Sequence, residues 1–343
     1  MREKDTMSKI ALAGVGKMGM NHLRVLHEMP GVEVAAICDA DPNNLSKAAQ
    51  KHQITRTYTD LDELLEKESL DAVVLATPTA RHMDQASQCL KRGLSLFVEK
   101  PLAPSEEECE AIIMQAKDAG QLLFVGHIER YNPVISRIVE LLAESFLGEV
   151  YYVETVRSGP FPKRLYGSQD GVVIDLAVHD LDLVSYLFGG LRKIYAQHIT
   201  IGPDGGNQDI YAKAMFETER GIVGSSEFSW ISPRTERSIS IYGDKGLLVG
   251  NLREQELWYY ENGDAGVDYS DNYFQNVLMG RVSEGQVVKF ALRKAEPLVR
   301  EYEEFTGLLE SGEAHDPQYG LNAVKYALAM LKSAGTEEVL LFS

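Results

Sequence analysis

Short apolar runs alternate with segments of helical periodicity from residue 9 to residue 126. The apolar runs predict strands at 10–13, 32–38, 72–76, 95–98 and 122–125. The intervening patterns predict helices at 18–28, 43–52, 61–67, 80–92 and 105–119, with Gly and Pro at the turns between them. Because buried strands joined by helices are typical of βαβ units, we predict a right-handed, doubly wound parallel sheet.

The pattern changes after Gly126. Helical periodicity covers 134–143 and 172–187, a strand pattern covers 150–156, and 158–162 has the Gly and Pro content of an irregular loop. Six β-like runs follow, at 194–199, 210–216, 222–230, 237–242, 246–249 and 256–260, and two helical patterns at 298–310 and 320–333 come last. We predict a mixed or antiparallel open sheet with one buried face, and we expect the domains to be 7–126 and 127–343.

Length and composition support two folded domains. A chain of 343 residues is longer than one hydrophobic core usually allows, and 44% hydrophobic with 25% charged residues is ordinary for a globular protein. The net charge of −17 opposes binding to nucleic acid and to anionic lipid. An anionic substrate would therefore need local Arg or Lys side chains or a helix N-terminus.

Cysteine usage and the N-terminus bear on the compartment. The three cysteines, Cys38, Cys89 and Cys109, form no close pair, which argues against a disulfide framework and a zinc ribbon and favours the reducing cytoplasm. Residues 1–9 lack the apolar region of a secretion signal, and no later run approaches a membrane span. Met7 is a second candidate for the initiating residue, which would make 1–6 a short disordered leader.

A glycine-rich turn follows the first predicted strand and opens the first predicted helix. Residues 14–19 read GVGKMG, with Lys17 and Met18 ahead of the third glycine. In a dinucleotide fingerprint Gly14 allows the tight turn, Gly16 lets the backbone approach the pyrophosphate, and Gly19 permits close packing of helix on strand. Such a turn also occurs without a ligand, so its place between strand and helix is what favours dinucleotide binding.

Asp39 ends the second predicted strand, 20 residues after Gly19. Its carboxylate is placed to accept hydrogen bonds from a ribose diol. A carboxylate there would repel the 2′-phosphate of NADP, and no Arg immediately follows it, so we expect NAD as the cofactor. The alternative is a surface aspartate that only ends a strand.

Glu99, Lys100 and Pro101 follow the predicted strand 95–98, at the edge where ligands bind in open α/β sheets. A lysine there can hydrogen-bond a substrate hydroxyl and stabilise the alkoxide that develops as hydride leaves. Pro101 would fix the local backbone, with a cis bond as one option. The alternative is a solvated lysine ahead of a loop.

Asp175 and His179 lie four residues apart in the helical pattern 172–187, so they project from one helical face. A histidine whose pKa lies near neutrality can accept the hydroxyl proton while hydride leaves carbon, and a neighbouring carboxylate would orient its ring. The alternatives are a structural histidine, a solvated stripe that includes Asp180 and Asp182, and half of a metal site. Further metal ligands are absent at short spacing, so we expect no metal.

Two more histidines, His82 and His127, fall near predicted strand ends, where they would line a cleft. The other histidines have no comparable sequence context: His22, His27, His52, His198 and His315.

Four motifs occur in one order along the chain: GVGKMG at 14–19, ATPTARH at 76–82, EKP at 99–101, and GVVID at 171–175 followed by His179. Together they resemble the glucose-fructose oxidoreductase/inositol dehydrogenase family, Gfo/Idh/MocA, over nearly the whole chain. The resemblance implies an α/β protein with an N-terminal Rossmann domain and a C-terminal α+β domain. In that family a large open, mostly antiparallel sheet often joins subunits, which implies a homodimer or homotetramer.

The resemblance also implies an NAD-dependent dehydrogenase that acts on a sugar hydroxyl. It assigns the catalytic group to Lys100, Asp175 and His179, with His179 as the acid/base. It places Thr77, Pro78 and His82 beside the nicotinamide half of the cofactor. Glu99 and Lys100 would also contribute to the cofactor site.

Residues 125–133 read VGHIERYNP and resemble the GHxERxNP signature of UDP-N-acetylglucosamine 3-dehydrogenases in this family. The run RSGPFP at 157–162 is similar to archaeal members of that group. The implied reaction oxidises the sugar C3 hydroxyl to a 3-keto nucleotide-sugar, which an aminotransferase would then aminate. Arg130 and Arg157 are candidate partners for the diphosphate or the sugar, because the arginine fork matches phosphate oxygens. A structural ion pair is the alternative role for either of them. The candidate substrate contacts are Arg130, Tyr131, Asn132, Arg157 and His179.

Two other functions stay open. One is the oxidation of a free sugar or polyol, as in inositol-type dehydrogenases. The other is a non-catalytic, NAD-binding sensor of the same fold, since a fold alone does not establish a function. A sensor would not require Lys100, Asp175 and His179 together.

Overall fold

The computed structural model describes residues 7–161, 171–202, 208–263 and 285–342. The chain divides into two compact units. The first unit comprises Met1–Tyr131 with Glu296–Leu328, and the second comprises Asn132–Ala295 with Ala329–Ser343. This division differs from the expected domains 7–126 and 127–343, because a C-terminal segment returns to the first unit.

The first unit contains a six-stranded, wholly parallel sheet of strand order β3-β2-β1-β4-β5-β6. This topology confirms the predicted doubly wound sheet, and the strand order reverses between β1 and β4, where ligands bind in such folds. The short β3 had no signal in the apolar pattern. The strands are β1 (Ser8–Ala13), β2 (Val32–Cys38), β3 (Thr57–Tyr58), β4 (Ala72–Leu75), β5 (Ser95–Glu99) and β6 (Leu123–Gly126).

Helices connect these strands and begin at residues that cap them. Asp41, Asp60 and Ser105 each accept a hydrogen bond from a backbone N–H in the first turn of the following helix. Two 3-10 turns, Thr79–Arg81 and Ile128–Tyr131, follow β4 and β6. The helices are α1 (Lys17–Glu28), α2 (Pro42–His52), α3 (Leu61–Lys67), α4 (His82–Leu90) and α5 (Glu106–Ala119).

The C-terminal segment joins the first unit through its apolar residues. Leu298, Tyr302 and Phe305 recur at helical spacing and belong to the buried cluster around Phe97 and Phe124 on one face of the sheet. Leu321 and Val324 belong to the cluster on the opposite face. The two helices that carry these residues are α8 (Pro297–Ser311) and α9 (Gln318–Thr336).

The second unit is built on a nine-stranded sheet of order β14-β13-β12-β11-β7-β10-β9-β8-β15. Among the strands that the structure describes, only the pairing of β7 with β10 is parallel, which confirms the mostly antiparallel sheet. The strands are β7 (Val150–Pro160), β8 (Leu191–Ile201), β9 (Gln208–Thr218), β10 (Val223–Ser229), β11 (Ile231–Gly243), β12 (Gly246–Asn251), β13 (Glu256–Glu261), β14 (Val287–Phe290) and β15 (Leu340–Leu341).

Two details of the second unit differ from the prediction. Residues 158–160, expected in an irregular loop, extend β7, because Ser158 pairs with both β10 and β11 and Pro160 pairs with β11. Pro162 of that predicted loop lies outside the described residues. The helical pattern 172–187 appears as a π-helical turn, Val173–Ala177, that runs into α7 (Val178–Phe188). The helix α6 (Pro133–Ala143) precedes β7 as predicted.

The two faces of the second sheet differ in exposure. Phe216, Phe228 and Ile239 lie on the buried face, as the predicted single buried face requires. Met215 and Tyr242 lie on the other face and are 56% and 37% exposed. None of the helices in the described part of the chain combines the length and apolar character needed to cross a membrane.

Candidate active site

The glycine-rich turn between β1 and α1 has the geometry that its sequence predicts. Gly14 has a φ of +89°, and a Cβ there would lie 2.5 Å from the carbonyl oxygen of Ala76. A Cβ on Gly19 would lie 1.9 Å from the carbonyl oxygen of Gly14. A Cβ on Gly16 would meet nothing within 4 Å, so its Cα faces open space. Gly14 and Gly19 therefore serve close packing, and Gly16 leaves the approach to the backbone open.

That open space is a cleft of about 750 Å³ at the carboxyl ends of β1, β2 and β4. Its volume lies in the range of cofactor pockets. Asp39 lines the cleft, with its carboxylate fixed by the N–H groups of Val15 at 2.8 Å and Asp41 at 2.9 Å. A fixed carboxylate at this place can accept hydrogen bonds from ribose hydroxyls, so the residues present fit a dinucleotide.

Other residues refine this description of the cleft. Thr77 and Pro78 line it, and the Thr77 hydroxyl donates a 2.5 Å hydrogen bond to Gln85. Four aspartates and one arginine are among the residues that line it, which favours a cofactor without a 2′-phosphate. Sequence reasoning missed most of these charges, because they come from separate loops: Asp41, Asp60, Asp84 and Arg81. Lys17 and Met18 begin α1 but are not among the lining residues.

Glu99 ends β5 as a buried carboxylate with defined partners. Its Oε1 lies 2.8 Å from His22 Nε2, and its Oε2 accepts a 3.0 Å hydrogen bond from the N–H of Lys100. Burial opposes its charge, but the hydrogen bond and charge of His22, with the charge of Lys100, set the pKa of Glu99 below its ordinary value. The Lys100 side chain is half-buried rather than freely solvated, and the Lys100–Pro101 bond is cis.

His82 is buried, and its ring bridges two turns at the edge of the first sheet. Nε2 lies 3.0 Å from the carbonyl oxygen of Thr77, and Nδ1 lies 3.1 Å from that of Pro101 and 3.2 Å from that of Leu102. Burial lowers the pKa of His82, although these carbonyls oppose the change. The His82 ring thus lies between the Thr77 and Pro101 turns, and its one N–H in the neutral form donates to a carbonyl of one of them, a role that the motif alone did not indicate.

Residues after β6 surround Tyr319 of α9. The Tyr319 hydroxyl lies 3.0 Å from the N atom and 3.1 Å from the O atom of Val125. The guanidinium of Arg130 lies over the Tyr319 ring, 4.1 Å from its centroid, and the ring of His127 meets it edge-on. The Arg130 guanidinium is therefore held at the carboxyl edge of the first sheet.

Tyr131 and Asn132, expected among the substrate contacts, have structural roles in the fold. The Tyr131 ring packs against Phe124, and burial raises the pKa of its hydroxyl. The Asn132 side chain caps α6 by accepting from the N–H of Val134, and it donates to the carbonyl oxygen of Leu252. These contacts account for Tyr131 and Asn132 in the fold without a ligand.

Asp175 and His179 lie in and just after the π-helical turn of the second unit, both half-buried. A π-helical turn holds more residues than an α-helical one, so positions four apart stay on one face, as predicted. The carboxylate of Asp209, from β9, accepts a 2.8 Å hydrogen bond from the N–H of Val173 at the start of this turn. A Cβ on Gly171 would lie 1.7 Å from Asp209 Oδ1, so Gly171 leaves room for that carboxylate.

A buried ion pair fixes the same helix from β7. Arg157 Nε and Nη2 lie 2.8 and 2.6 Å from Oδ1 of Asp180, and both side chains are almost fully buried. Asp180 and Asp182 are each 2% exposed, so they are not a solvated stripe. Arg157 therefore forms a structural ion pair, the alternative to a substrate contact, with the residue that follows His179. Among the described residues, no group of three or more His, Cys, Asp and Glu side chains could hold a metal ion.

Comparison with known families agrees with this geometry. A family described as "Oxidoreductase family, NAD-binding Rossmann fold" matches residues 8–127, and the "GFO/IDH/MocA C-terminal domain" matches residues 135–249. The chain belongs to the Gfo/Idh/MocA oxidoreductase family. It is an NAD-dependent dehydrogenase that acts on a CH–OH group, with its NAD-binding Rossmann fold in the first unit.

Three relatives illustrate the range of this family. An NAD⁺-dependent scyllo-inositol 2-dehydrogenase of Bacillus subtilis is 28% identical over 73% of this chain and 75% of its own. A UDP-N-acetylglucosamine 3-dehydrogenase of Acidithiobacillus ferrooxidans is 31% identical over 72% of this chain and 77% of its own. A Bordetella pertussis dehydrogenase, solved with NADH and UDP-GlcNAcA, shares the fold with a TM-score of 0.79 at 21% identity, over 98% of this chain and 99% of its own.

Proposed function

We propose that the chain oxidises the C3 hydroxyl of UDP-N-acetylglucosamine to a 3-keto nucleotide-sugar. The observation that carries this proposal is the Arg130 guanidinium, held over Tyr319 at the carboxyl edge of the first sheet. In a chain of net charge −17, a fixed guanidinium is what a diphosphate needs for recognition. The relative from A. ferrooxidans, which is named for this reaction, supports the same substrate.

In this proposal three side chains each perform one part of the oxidation. Bound NAD supplies the carbon that accepts hydride from the sugar. The ring of His179 takes the proton of the substrate hydroxyl, and Asp175, one helical turn earlier, orients that ring. The Lys100 ammonium donates a hydrogen bond to the substrate oxygen as negative charge develops on it.

The cofactor contacts follow from the cleft. Backbone N–H groups at the start of α1, next to Gly16, bind the pyrophosphate, and Asp39 binds the ribose. Thr77 and Pro78 line the nicotinamide side of the cleft. Glu99 and His82 contact the turns around that side and fix their positions. Arg157 supports the segment that carries His179 through its ion pair with Asp180.

The second candidate is oxidation of a free polyol. The observation that favours it is the similarity to the B. subtilis scyllo-inositol 2-dehydrogenase, which covers 73% of this chain and 75% of that relative. A polyol has no phosphate, so this candidate needs no contact from Arg130.

Absorbance of reduced nicotinamide separates the candidates. Purified protein is mixed with NAD and UDP-N-acetylglucosamine, free N-acetylglucosamine or inositol, with a trap for the ketone. The proposal predicts a signal with the nucleotide-sugar that falls at least tenfold in Arg130→Ala, since a charged hydrogen bond contributes about 1.5–3 kcal/mol. A signal with inositol alone would move the assignment to the polyol, and NAD binding without turnover of any substrate would indicate a sensor.

We also propose that the open face of the second sheet joins two copies of the chain. Register places exposed apolar side chains from five strands on that face. They are Ile199, Met215, Val223, Tyr242 and Tyr260, between 37% and 56% exposed. The expected assembly is a homodimer or homotetramer, and light scattering of Met215→Lys should show a smaller particle than the wild type.

The proposed compartment is the cytoplasm. Cys38, Cys89 and Cys109 are buried free thiols, and burial raises the pKa of each to about 12. Such thiols are unreactive and form no disulfide, which suits a reducing environment.

A further inference from the structure

His22 is a fully buried histidine whose two ring nitrogens both have partners. Nε2 lies 2.8 Å from Oε1 of Glu99, and Nδ1 lies 2.7 Å from the hydroxyl of Tyr302. The three residues come from α1, β5 and α8, so the contact joins distant parts of the first unit. Nothing in the sequence around His22 pointed to it.

Which atoms donate in the Tyr302–His22–Glu99 hydrogen bonds follows from the protonation of Tyr302 and Glu99. Burial raises the pKa of the Tyr302 hydroxyl well above its ordinary value, so that hydroxyl keeps its hydrogen. Glu99 is ionised, so it accepts the hydrogen that His22 carries on Nε2. Replacing His22 with an apolar residue would leave a buried carboxylate without its main partner.

Glu99, held by His22, also contacts Lys100. Its second oxygen accepts the N–H of Lys100 at 3.0 Å, and its charge attracts the Lys100 ammonium. If Glu99 loses its charge or its orientation, the backbone and the charge of Lys100 lose the group that fixes them. A displacement of about 1 Å in a reacting group is enough to cost about 100-fold in rate.

We propose that His22, held by Tyr302, is a positioning residue that fixes Lys100 for catalysis through Glu99. This inference rests on the proposed function, in which Lys100 contacts the reacting oxygen. The same helix α1 begins at the glycine-rich turn, so one rigid element sets both the cofactor turn and the Lys100 turn.

Four variants of the full-length protein test this role. His22→Leu removes both contacts, His22→Gln keeps a donor near the position of Nε2, and Tyr302→Phe removes only the outer hydroxyl. The control is His52→Leu, because His52 is also a buried histidine of the first unit but has no contact with Glu99. Circular dichroism and NAD affinity identify the variants that fold.

Steady-state kinetics give the first readout. The kcat of His22→Leu should fall 10- to 100-fold with little change in the KM of the sugar, on the scale of a small displacement of a reacting group. His22→Gln should recover much of this loss, Tyr302→Phe should lose the least of the three, and His52→Leu should keep the wild-type kcat. Wild-type kcat in folded His22→Leu would overturn the proposal, as would equal losses in His22→Leu and His22→Gln. If His22→Leu does not fold, wild-type kcat in both His22→Gln and Tyr302→Phe would overturn it.

A second readout needs no substrate. The rate at which an amine reagent labels Lys100, followed by mass spectrometry, should rise several-fold in His22→Leu, while the other lysines keep their rates. An unchanged rate at Lys100 would overturn the proposal even if no sugar were oxidised. Failure of the proposed function would instead appear as a wild-type protein without turnover, so the two failures are distinguishable.

Discussion

Each unit of the molecule uses a buried carboxylate to fix a candidate catalytic segment, but the two carboxylates are compensated differently. In the first unit Glu99 contacts the ring of His22, and its pKa lies below the ordinary value despite its burial. In the second unit Asp209 receives the N–H of Val173 at the start of the π-helical turn. Burial raises the pKa of Asp209, and its backbone hydrogen bonds offset this only in part.

The difference shows two ways of fixing a segment. The hydrogen bond from His22 and the charge of Lys100 favour the ionised form of Glu99, which in turn holds the Lys100 turn by both charge and hydrogen bond. In the second unit the Asp209 carboxylate caps the turn that carries Asp175 by accepting backbone N–H groups, and these donors compensate the cost of burying its charge only in part. The first arrangement should therefore tolerate a change of pH less easily on the acid side, and the second less easily on the alkaline side.

The largest expected effect separates the tasks of the two units. His179→Ala should lower kcat by about 10²- to 10⁴-fold, the contribution of a general base, and leave NAD affinity unchanged. Asp39→Ala should weaken NAD binding by about tenfold or more, since a charged hydrogen bond contributes about 1.5–3 kcal/mol. Calorimetric NAD binding and initial rates measure both, and a loss of NAD affinity in His179→Ala would erase the distinction.

A smaller effect concerns the room that Gly171 leaves for Asp209. Gly171→Ala should destabilise the protein by about 1–3 kcal/mol and lower turnover, because its Cβ would displace the carboxylate that caps the π-helical turn. Gly335→Ala is the matched control, since a Cβ there meets nothing within 4 Å and alanine favours the helix by about 1 kcal/mol. Urea unfolding compares the two, and equal stability would show that Asp209 does not need this space.

The smallest expected effect is on the pH dependence of stability, to which Glu99 and Asp209 should contribute with opposite signs. The lowered pKa of Glu99 gives stability that is present at neutral pH and is lost as the pH falls through its folded-state value. The raised pKa of Asp209 gives the opposite: its contribution is largest in acid and is lost as the pH rises through its folded-state value.

Unfolding free energies between pH 7 and about pH 4, where carboxyls titrate, test these signs. As the pH falls, the advantage of the wild type over Glu99→Gln should shrink, whereas the wild type should gain on Asp209→Asn. Each unit of pKa shift corresponds to about 1.4 kcal/mol. Slopes of the same sign for the two variants would contradict the comparison.

The parallel sheet was predictable because five of its six strands are mainly apolar runs bounded by turn residues. The strands β3 and β15 carry two residues each, too few for such a signal, and Lys289 interrupts the short apolar run of β14. The return of α8 and the first part of α9 to the first unit was not predictable from local pattern, because helical periodicity tells which face is apolar and not which sheet that face covers.

The candidate site was predictable where one segment carries its function. The glycine turn, Asp39 and the pair Asp175 and His179 need only local spacing, and each lies on the predicted element. His22 and Asp209 act through partners 77 and 36 residues away, so no spacing rule could reveal them. Asn132 lies in a recognisable motif, which predicted a substrate contact, but the motif gave no sign that its side chain caps α6.

Transfer of a labelled hydride tests the account most directly. UDP-N-acetylglucosamine carrying deuterium at C3 is incubated with the protein and NAD, and the nicotinamide is analysed by mass spectrometry. The account predicts one deuterium on the reduced cofactor, and none when the deuterium is placed at C4 instead. Reduced cofactor without deuterium from the C3-labelled sugar, or no reduction by this sugar while another sugar or polyol is oxidised, would contradict it.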